Sequence, residues 1–129
     1  MAPNSEVIIN GIDAKTQRLF TYLAVFALGI LVPVIFAHIY AYPVPHVHDE
    51  FAYLLQGDTF SHGRLTNPTH SLYRFFETFH VFFNPTYQVK YPPGQGFFLA
   101  IGEFFFSHPA IGVWISLAFA CVALTWMLN

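Results

Sequence analysis

The fold of this chain is decided by the run LFTYLAVFALGILVPVIFAHIYAY, residues 19–42, which contains no Asp, Glu, Lys or Arg. A helix rises about 1.5 Å per residue, so about 20 apolar residues cross the hydrocarbon core of a bilayer. Gly29 and Pro33 fall inside the run, and membrane helices tolerate both residue types better than soluble helices do. Tyr40 and Tyr42 stand at its far end, where interfacial aromatic residues are enriched. The run predicts a first transmembrane helix.

A second uncharged run, residues 110–128, is also long enough to span a membrane. Ser107 is a suitable N-cap for this helix, and Pro109 suits its first turn. The segment 109–129 is therefore predicted as the second transmembrane helix. A cleaved signal peptide is the alternative for the first run, with residues 39–41 as a passable cleavage site. Signal sequences have apolar regions of about 7 to 15 residues, so the longer run favours an uncleaved span.

The composition is typical of a membrane protein. Only 9% of the residues are charged and 55% are hydrophobic, whereas a soluble domain has roughly 25% charged residues. The formal net charge of −2 and the absence of a Lys/Arg cluster argue against nucleic-acid binding. Cys121 is the only cysteine in the sequence, so no intrachain disulfide can form. Because Cys121 lies inside the second run, we expect it to pack as a small hydrophobic residue.

The two runs divide the chain into a tail, two spans and a loop. Residues 1–18 are predicted as a short polar tail, and residues 43–108 as the connection between the spans. Lys15 and Arg18 lie next to the first span, whereas the basic residues of the loop are widely spaced. The positive-inside rule then puts the N-terminus in the cytoplasm and the loop outside. The predicted fold is an all-α membrane protein, with two transmembrane helices bracketing an extracytoplasmic loop that contains amphipathic juxtamembrane helices.

Three interfacial helices are predicted in the loop, at about 50–62, 71–83 and 95–106. The first follows two prolines that end the preceding span, and it has Asp49 as a candidate N-cap and Gly63 as a candidate residue after the C-cap. The second is based on large apolar residues at helical spacing, although their β-favouring aromatic side chains leave an extended form open. The third is too short to span and is typical of a re-entrant or juxtamembrane helix.

The stretch HVHDE, residues 46–50, comes directly after the first span and has two histidines and two carboxylates within five residues. An acidic pair at the mouth of a membrane helix can act as a general base or bind a divalent cation. Asp49 and Glu50 are therefore the candidate catalytic residues, and the structural alternative is that both only stabilise the start of a helix. His46 and His48 would point the same way on an extended segment. They could then bind one metal ion, or be ordinary interfacial histidines.

The loop also contains candidate substrate-binding residues. Arg64, Arg74 and Lys90 could pair with a lipid phosphate, although single solvated charges need no such role. Tyr91 opens the segment YPPGQG, residues 91–96, in which a stiff half is followed by a permissive half. Such a turn can bring the backbone close to a ligand, or simply redirect the chain into the next helix.

The order of these features resembles the N-terminal part of the membrane glycosyltransferases of the GT-C class. The closest likeness is to the protein mannosyltransferase and aminoarabinose transferase type, which use polyprenyl-phosphate-linked sugars. DEFAY at residues 49–53 looks like their Asp-Glu motif at the start of the first outer loop. KYPP at residues 90–93 looks like their Pro-Pro segment ahead of the second span. The resemblance covers residues 15–129, and residues 58–70 are similar to a loop of uncharacterised bacterial members.

The resemblance implies that Asp49 is the base, or metal-facing acid, that activates an acceptor hydroxyl, with Glu50 as the second acidic residue. It implies the bilayer of a bacterial inner membrane and a polyprenyl-phosphate-linked sugar as partners, and leaves open whether a divalent cation is a cofactor. Members of the class are much longer and have many more spans. The chain is therefore expected to be a fragment that needs a missing C-terminal part or another membrane subunit. The alternative is a small two-span membrane protein without catalysis, acting by interaction or by metal binding through His46 and His48.

Overall fold

The computed structural model describes the backbone of residues 5–128 and the side chains of residues 13–128. Within these residues there are four α-helices: α1 Ser5–Tyr40, α2 His48–Ser61, α3 Pro93–Phe106 and α4 Pro109–Leu128. A 3-10 turn, Tyr73–Phe75, and two antiparallel strands, β1 Val81–Phe82 and β2 Gln88–Val89, lie between α2 and α3. Helix α2 packs on α3, α3 on α4, and α4 on α1. The mainly helical fold agrees with the sequence-based prediction.

Two helices are long and apolar enough to cross a membrane, namely the part of α1 from Asp13 to Tyr40 and the whole of α4. The most apolar stretch of α1 has no buried residue. A helix that is apolar on all sides is covered either by a protein core or by lipid. The exposure of α1 therefore favours a lipid-facing helix over the core helix of a soluble protein.

Helix α1 begins earlier than predicted. It starts at Ser5, so most of the predicted polar tail at 1–18 is helical; residues 1–4 lie outside the described residues. Extending an existing helix by one residue fixes little extra backbone compared with nucleating a new one, so a long apolar helix readily continues into adjacent polar residues. Pro33 lies inside α1, as its position in the apolar run predicts.

Small residues let α1 and α4 approach closely. A Cβ atom at Gly29 would lie 2.8 Å from the Cα of Ala118, so only glycine permits this backbone separation. The rings of Phe26 and Phe119 meet edge to face beside this crossing, with centroids 5.2 Å apart. Close approach at small residues is the usual way in which membrane helices associate.

Only Ser107 and His108 connect α3 to α4. Ser107 adopts a left-handed conformation, φ 55°, and its N–H donates to the carbonyl oxygen of Glu103 at 2.9 Å. The prediction that Ser107 is the N-cap of the second span is therefore wrong, because this residue ends α3 instead. The imidazole Nδ1 of His108 accepts from the N–H of Ala110 at 3.3 Å and so caps the start of α4.

The predicted ends of α2 and α3 are close to those observed. Helix α2 ends at Ser61, with His62 as the C-cap and Gly63 at φ +70° after it, as predicted. The N–H of Arg64 donates to the carbonyl oxygen of Thr59 at 3.1 Å, which pairs a carbonyl that the helix end leaves free. Helix α3 starts at Pro93, two residues before the predicted start, because proline suits the first helical position.

Residues 71–83 do not form the predicted helix. They contain the 3-10 turn and strand β1, in which Val81 pairs with Val89 of β2. The aromatic and β-branched side chains that repeat at helical spacing also favour an extended chain. The non-local pairing decides between the two forms, since it buries Val81 to 8% exposure against α2. Asn67 and Tyr87 exchange two backbone hydrogen bonds, at 2.9 and 3.0 Å, which join the segment after α2 to the hairpin.

Candidate functional site

Glu50, and not Asp49, caps the start of α2. The residue before the helix is Val47, which has no side-chain acceptor and an extended backbone with φ −121° and ψ 155°. The Oε2 atom of Glu50 reaches back and accepts from the N–H groups of His46 at 2.7 Å and Val47 at 3.3 Å. The prediction that Asp49 is the N-cap is therefore wrong. The helix begins at His48, so Asp49 falls inside the first turn.

Asp49 is half-buried in this first turn. Its Oδ1 accepts only a local hydrogen bond from the N–H of Glu50 at 3.1 Å among the hydrogen bonds described for it. Its charge lies close enough to Tyr91 to act on the phenol of that residue. Tyr53 lies four residues after Asp49 on the same side of α2, and its ring stacks on that of Tyr91 with centroids 4.7 Å apart.

The Tyr91 phenol links Asp49 to two histidines. Its hydroxyl is hydrogen-bonded to Nδ1 of His80, and the ring of His80 stacks on that of His48 with centroids 6.4 Å apart. Partial burial raises the pKa of Tyr91, and the charge of Asp49 and the neighbouring Tyr53 raise this pKa further. At neutral pH the phenol is therefore protonated, and the tautomer of the His80 imidazole sets which of the two groups donates in their hydrogen bond. We call these five residues the Asp49 cluster: His48, Asp49, Tyr53, His80 and Tyr91.

Sequence reasoning identified three members of the Asp49 cluster and missed Tyr53 and His80. His80 comes to the site through the hairpin, since the N–H of Lys90 donates to the carbonyl oxygen of His80 at 3.0 Å and so brings Tyr91 beside it. The turn of this hairpin contains Asn84 and Pro85 rather than the Asn-Gly or Asp-Gly pairs that mark short hairpins in a sequence. Tyr53 stands at the i+4 position from Asp49, which is a signal that could have been used.

The two histidines predicted to share a metal ion have different surroundings. His48 is the first residue of α2 and stacks on His80, whereas His46 lies before the helix and contributes its backbone N–H to the Glu50 cap. Within residues 13–128, no group of three or more His, Cys, Asp or Glu side chains is placed to hold a metal ion. The prediction assumed that His46 and His48 lie on one extended segment. That segment ends before His48, because α2 begins at this residue.

The three basic candidates lie on separate loop segments. Arg64 follows α2 and lines an open cavity of about 590 Å³ between the end of α2 and the start of α3. Arg74 is exposed in the 3-10 turn. The Nζ atom of Lys90 lies over two aromatic rings, 5.2 Å from the centroid of Phe79 and 4.9 Å from that of Phe82. Tyr91 is the substrate-binding candidate whose side chain belongs to the Asp49 cluster.

A second cavity, of about 460 Å³, borders the cluster on the side of α4. Its walls come from α2, α3, the first turn of α4 and the proline segment 43–45. Most of the lining is apolar, and the polar lining residues are Glu50, Tyr53, Gln95 and His108. Tyr53 belongs to both this cavity and the Asp49 cluster. The cavity can therefore hold an apolar group within reach of the polar cluster.

The chain matches no protein-family model, and no curated protein or solved structure shows significant similarity to it. The class of protein is thus defined by the fold alone, as a mainly helical protein with two helices able to span a membrane.

Proposed function

We propose that this chain is the acceptor-activating part of an integral-membrane glycosyltransferase, which moves a sugar from a polyprenyl-phosphate donor to an acceptor hydroxyl. Asp49 is the base in this proposal. The observation that carries it is the division of work between the two acidic residues at the start of α2. Glu50 is committed to the helix cap, so the half-buried Asp49 is the carboxylate that remains available to a substrate.

The reaction needs one proton acceptor. A carboxylate oxygen of Asp49 takes the proton of the acceptor hydroxyl, and the hydroxyl oxygen forms a bond to the anomeric carbon of the donor sugar. The bond between that carbon and the phosphate oxygen breaks, and the polyprenyl phosphate leaves with the electron pair. A base that is held within hydrogen-bond reach of the hydroxyl typically contributes about 10²- to 10⁴-fold to such a step.

The other residues of the Asp49 cluster help to position the acceptor hydroxyl next to this base. The Tyr91 phenol is held by His80 and by stacking on Tyr53, so its hydroxyl is fixed where the charge of Asp49 acts on it. A protonated phenol near an acidic side chain adds no second negative charge to the site. Such fixed polar groups position an acceptor hydroxyl without having to reorganise during the reaction.

The neighbouring cavity suits the lipid portion of a substrate. It is mainly apolar, has a volume of about 460 Å³, and lies next to the first turn of α4. In this proposal an isoprenoid unit of the donor occupies the cavity, and the phosphate end lies beside His108 rather than beside the Glu50 carboxylate, whose negative charge would repel it. The described residues do not make up a complete cation site, so the proposal uses no metal ion in any step.

The proposal includes a membrane topology, with the N-terminus in the cytoplasm of a bacterial cell and the loop between α1 and α4 outside the inner membrane. Lys15 and Arg18 at the start of the first span support it through the positive-inside rule. Alkaline phosphatase fused after Gly63 should be active, since this enzyme folds only outside the cytoplasm. An inactive fusion at this position, with an active one after Leu128 at the end of α4, would reverse the proposed orientation.

Transfer itself is tested with membranes from cells that express the native gene locus, including whatever reading frame adjoins these 129 codons. The membranes are incubated with radiolabelled polyprenyl-phosphate mannose, glucose or aminoarabinose, and label in lipid or protein acceptors is counted. Asp49→Asn should reduce transfer by about 10²-fold or more. Asp58→Asn is the matched control, because Asp58 is an exposed aspartate near the other end of α2.

Two results would refute the proposal. The first is full transfer by the Asp49→Asn protein, which would show that Asp49 is not the base. The second is that membranes containing the unaltered, inserted protein transfer no sugar from any polyprenyl-phosphate donor. This result would exclude polyprenyl-phosphate-linked sugars as donors. Equal loss of transfer in the Asp49→Asn and Asp58→Asn proteins would also count against a specific role for Asp49.

A further inference from the structure

The hairpin has one face that is turned away from the helices. Val81 pairs with Val89, and Val81 borders a cavity together with residues of α2, so this pair forms the inner face. Side chains alternate along a strand, and Phe82 therefore points to the opposite side. The ring of Phe82 is 47% exposed, and the Nζ of Lys90 lies 4.9 Å from its centroid.

A second ring completes an aromatic pair around the lysine. Phe79 is 85% exposed, and its centroid lies 5.2 Å from the same Nζ atom. The attraction between an exposed ammonium group and an aromatic face is modest, and it leaves N–H groups of the ammonium free to donate to an anion. We call this set of Phe79, Phe82 and Lys90 the docking face.

Helix α2 and the first turn of α4 line one cavity, which places the docking face close to the level at which α4 would enter a membrane. Glu50, Tyr53 and Leu54 of α2 line the same cavity as Pro109 and Ala110 in the first turn of α4. The start of α2 therefore lies beside the end of a helix that is able to span a bilayer.

The hairpin is fixed to this same end of α2. His48, the first residue of α2, stacks on His80, which directly follows Phe79 in the chain. The docking face is thus held beside the start of α2.

We propose that the docking face binds the bilayer surface, with the two rings in the interfacial layer and the Lys90 ammonium on a phospholipid phosphate. Amphipathic side chains place their apolar part in the lipid and their charged end at the headgroups. A single cation flanked by two exposed aromatic rings is better suited to the membrane interface, where apolar chains adjoin charged headgroups, than to bulk water. The proposal is independent of glycosyl transfer and concerns how the loop is held over the membrane.

The test uses the whole chain reconstituted in vesicles, with tryptophan as a depth reporter. Trp114→Phe and Trp126→Phe remove both native tryptophans, and Phe79→Trp then introduces one indole on the docking face. Vesicles of phosphatidylcholine alone are compared with vesicles that also contain phosphatidylglycerol. Quenching is measured with lipids brominated on the acyl chains near the headgroup and with acrylamide in the water. Phe82→Trp in the same background is the second reporter, in case the first variant fails to fold.

We expect brominated lipid to quench the introduced indole and acrylamide to be largely excluded, most strongly in the anionic vesicles. Lys90→Gln should lower the ratio of docked to undocked molecules in those vesicles about fivefold, which is the effect of one basic residue at an anionic membrane surface. Arg74→Gln is the charge-matched control and should have a smaller effect, since Arg74 lies in the 3-10 turn outside the docking face.

The proposal is overturned if acrylamide quenches both reporters freely and brominated lipid quenches neither of them in either vesicle type. That outcome would mean that the rings face water or another protein. Equal effects of Lys90→Gln and Arg74→Gln would overturn the assignment of the phosphate contact to Lys90.

Discussion

The Oε2 atom of Glu50 accepts a hydrogen bond from the backbone N–H of His46 at 2.7 Å. The same oxygen accepts from the N–H of Val47 at 3.3 Å, and Val47 itself has no side chain that could cap the helix. Two adjacent carboxylates thus have different surroundings. Glu50 satisfies backbone donors at the start of α2, whereas the charge of Asp49 acts on Tyr91.

Removing the Glu50 carboxylate should therefore destabilise the chain. Glu50→Ala leaves the two backbone donors without their partner, and loss of such a cap typically costs about 1 kcal/mol. The free energy of unfolding can be measured by denaturant titration in detergent micelles, followed by circular dichroism. Glu50→Gln is the control and should lose less, since glutamine also serves in this capping position. If Asp49→Asn costs as much stability as Glu50→Ala, the division of work between the two residues is wrong.

The pKa of Tyr91 shows whether the charge of Asp49 acts on its phenol. Partial burial raises the pKa of the phenol above its ordinary value of 10.0, and the Asp49 charge raises it further. Asp49→Asn should lower this pKa without returning it to the ordinary value, because burial remains. The pKa can be read from the difference in phenolate absorbance between each protein and the same protein with Tyr91→Phe.

The same shift has a consequence for stability at high pH. The pKa of Tyr91 is higher in the folded chain than in the unfolded chain, so its contribution to stability is fully present below pH 10.0 and is lost as the pH rises through the folded-state value. Tyr91→Phe should make the free energy of unfolding less dependent on pH in that alkaline range. An unchanged slope would show that the Tyr91 phenol ionises alike in both states.

The packing of α2 on α3 leaves no room for a side chain at Gly57. A Cβ atom there would lie 2.7 Å from the Cβ of Leu99, a residue that is 5% exposed. Gly57→Ala should therefore destabilise the chain by about 1–3 kcal/mol through overpacking. Gly94→Ala is the matched control, because a Cβ at Gly94 meets no atom within 4 Å. Thermal unfolding of both variants in detergent tests this, and equal melting temperatures would contradict the close contact.

The two long apolar helices, α1 and α4, were predictable from the sequence because their signal is additive. Each of some twenty consecutive apolar residues contributes to the preference for lipid, so one exception such as Pro33 does not alter the outcome. The loop has no such redundancy. Phe75 and Phe79 have helical spacing, but aromatic side chains such as theirs also favour strands. The pairing of Val81 with Val89 then selects the extended form.

The candidate site was predictable only in part, for a similar reason. The position of Asp49 and Glu50 after the first span could be read directly, but their roles depend on where the helix begins. The predicted start with Asp49 as N-cap is Glu50, two residues after the observed start, and the extended backbone of Val47 and the reach of the Glu50 side chain select His48. His80 joins the site through a hydrogen bond across eleven residues to Tyr91, and no local pattern indicates a contact of this kind.

The crossing of α1 and α4 depends on the absence of a side chain at Gly29. A Cβ atom at this position would lie 2.8 Å from the Ala118 backbone, so a larger residue must push α1 away from α4. We expect Gly29→Leu to lower the free energy of unfolding by about 1–3 kcal/mol. Ala27→Leu is the matched control, because Ala27 is an exposed residue on the same helix and gains a similar volume. Titration with a denaturing detergent separates the two, and equal midpoints for the two variants would mean that α1 and α4 do not cross at Gly29.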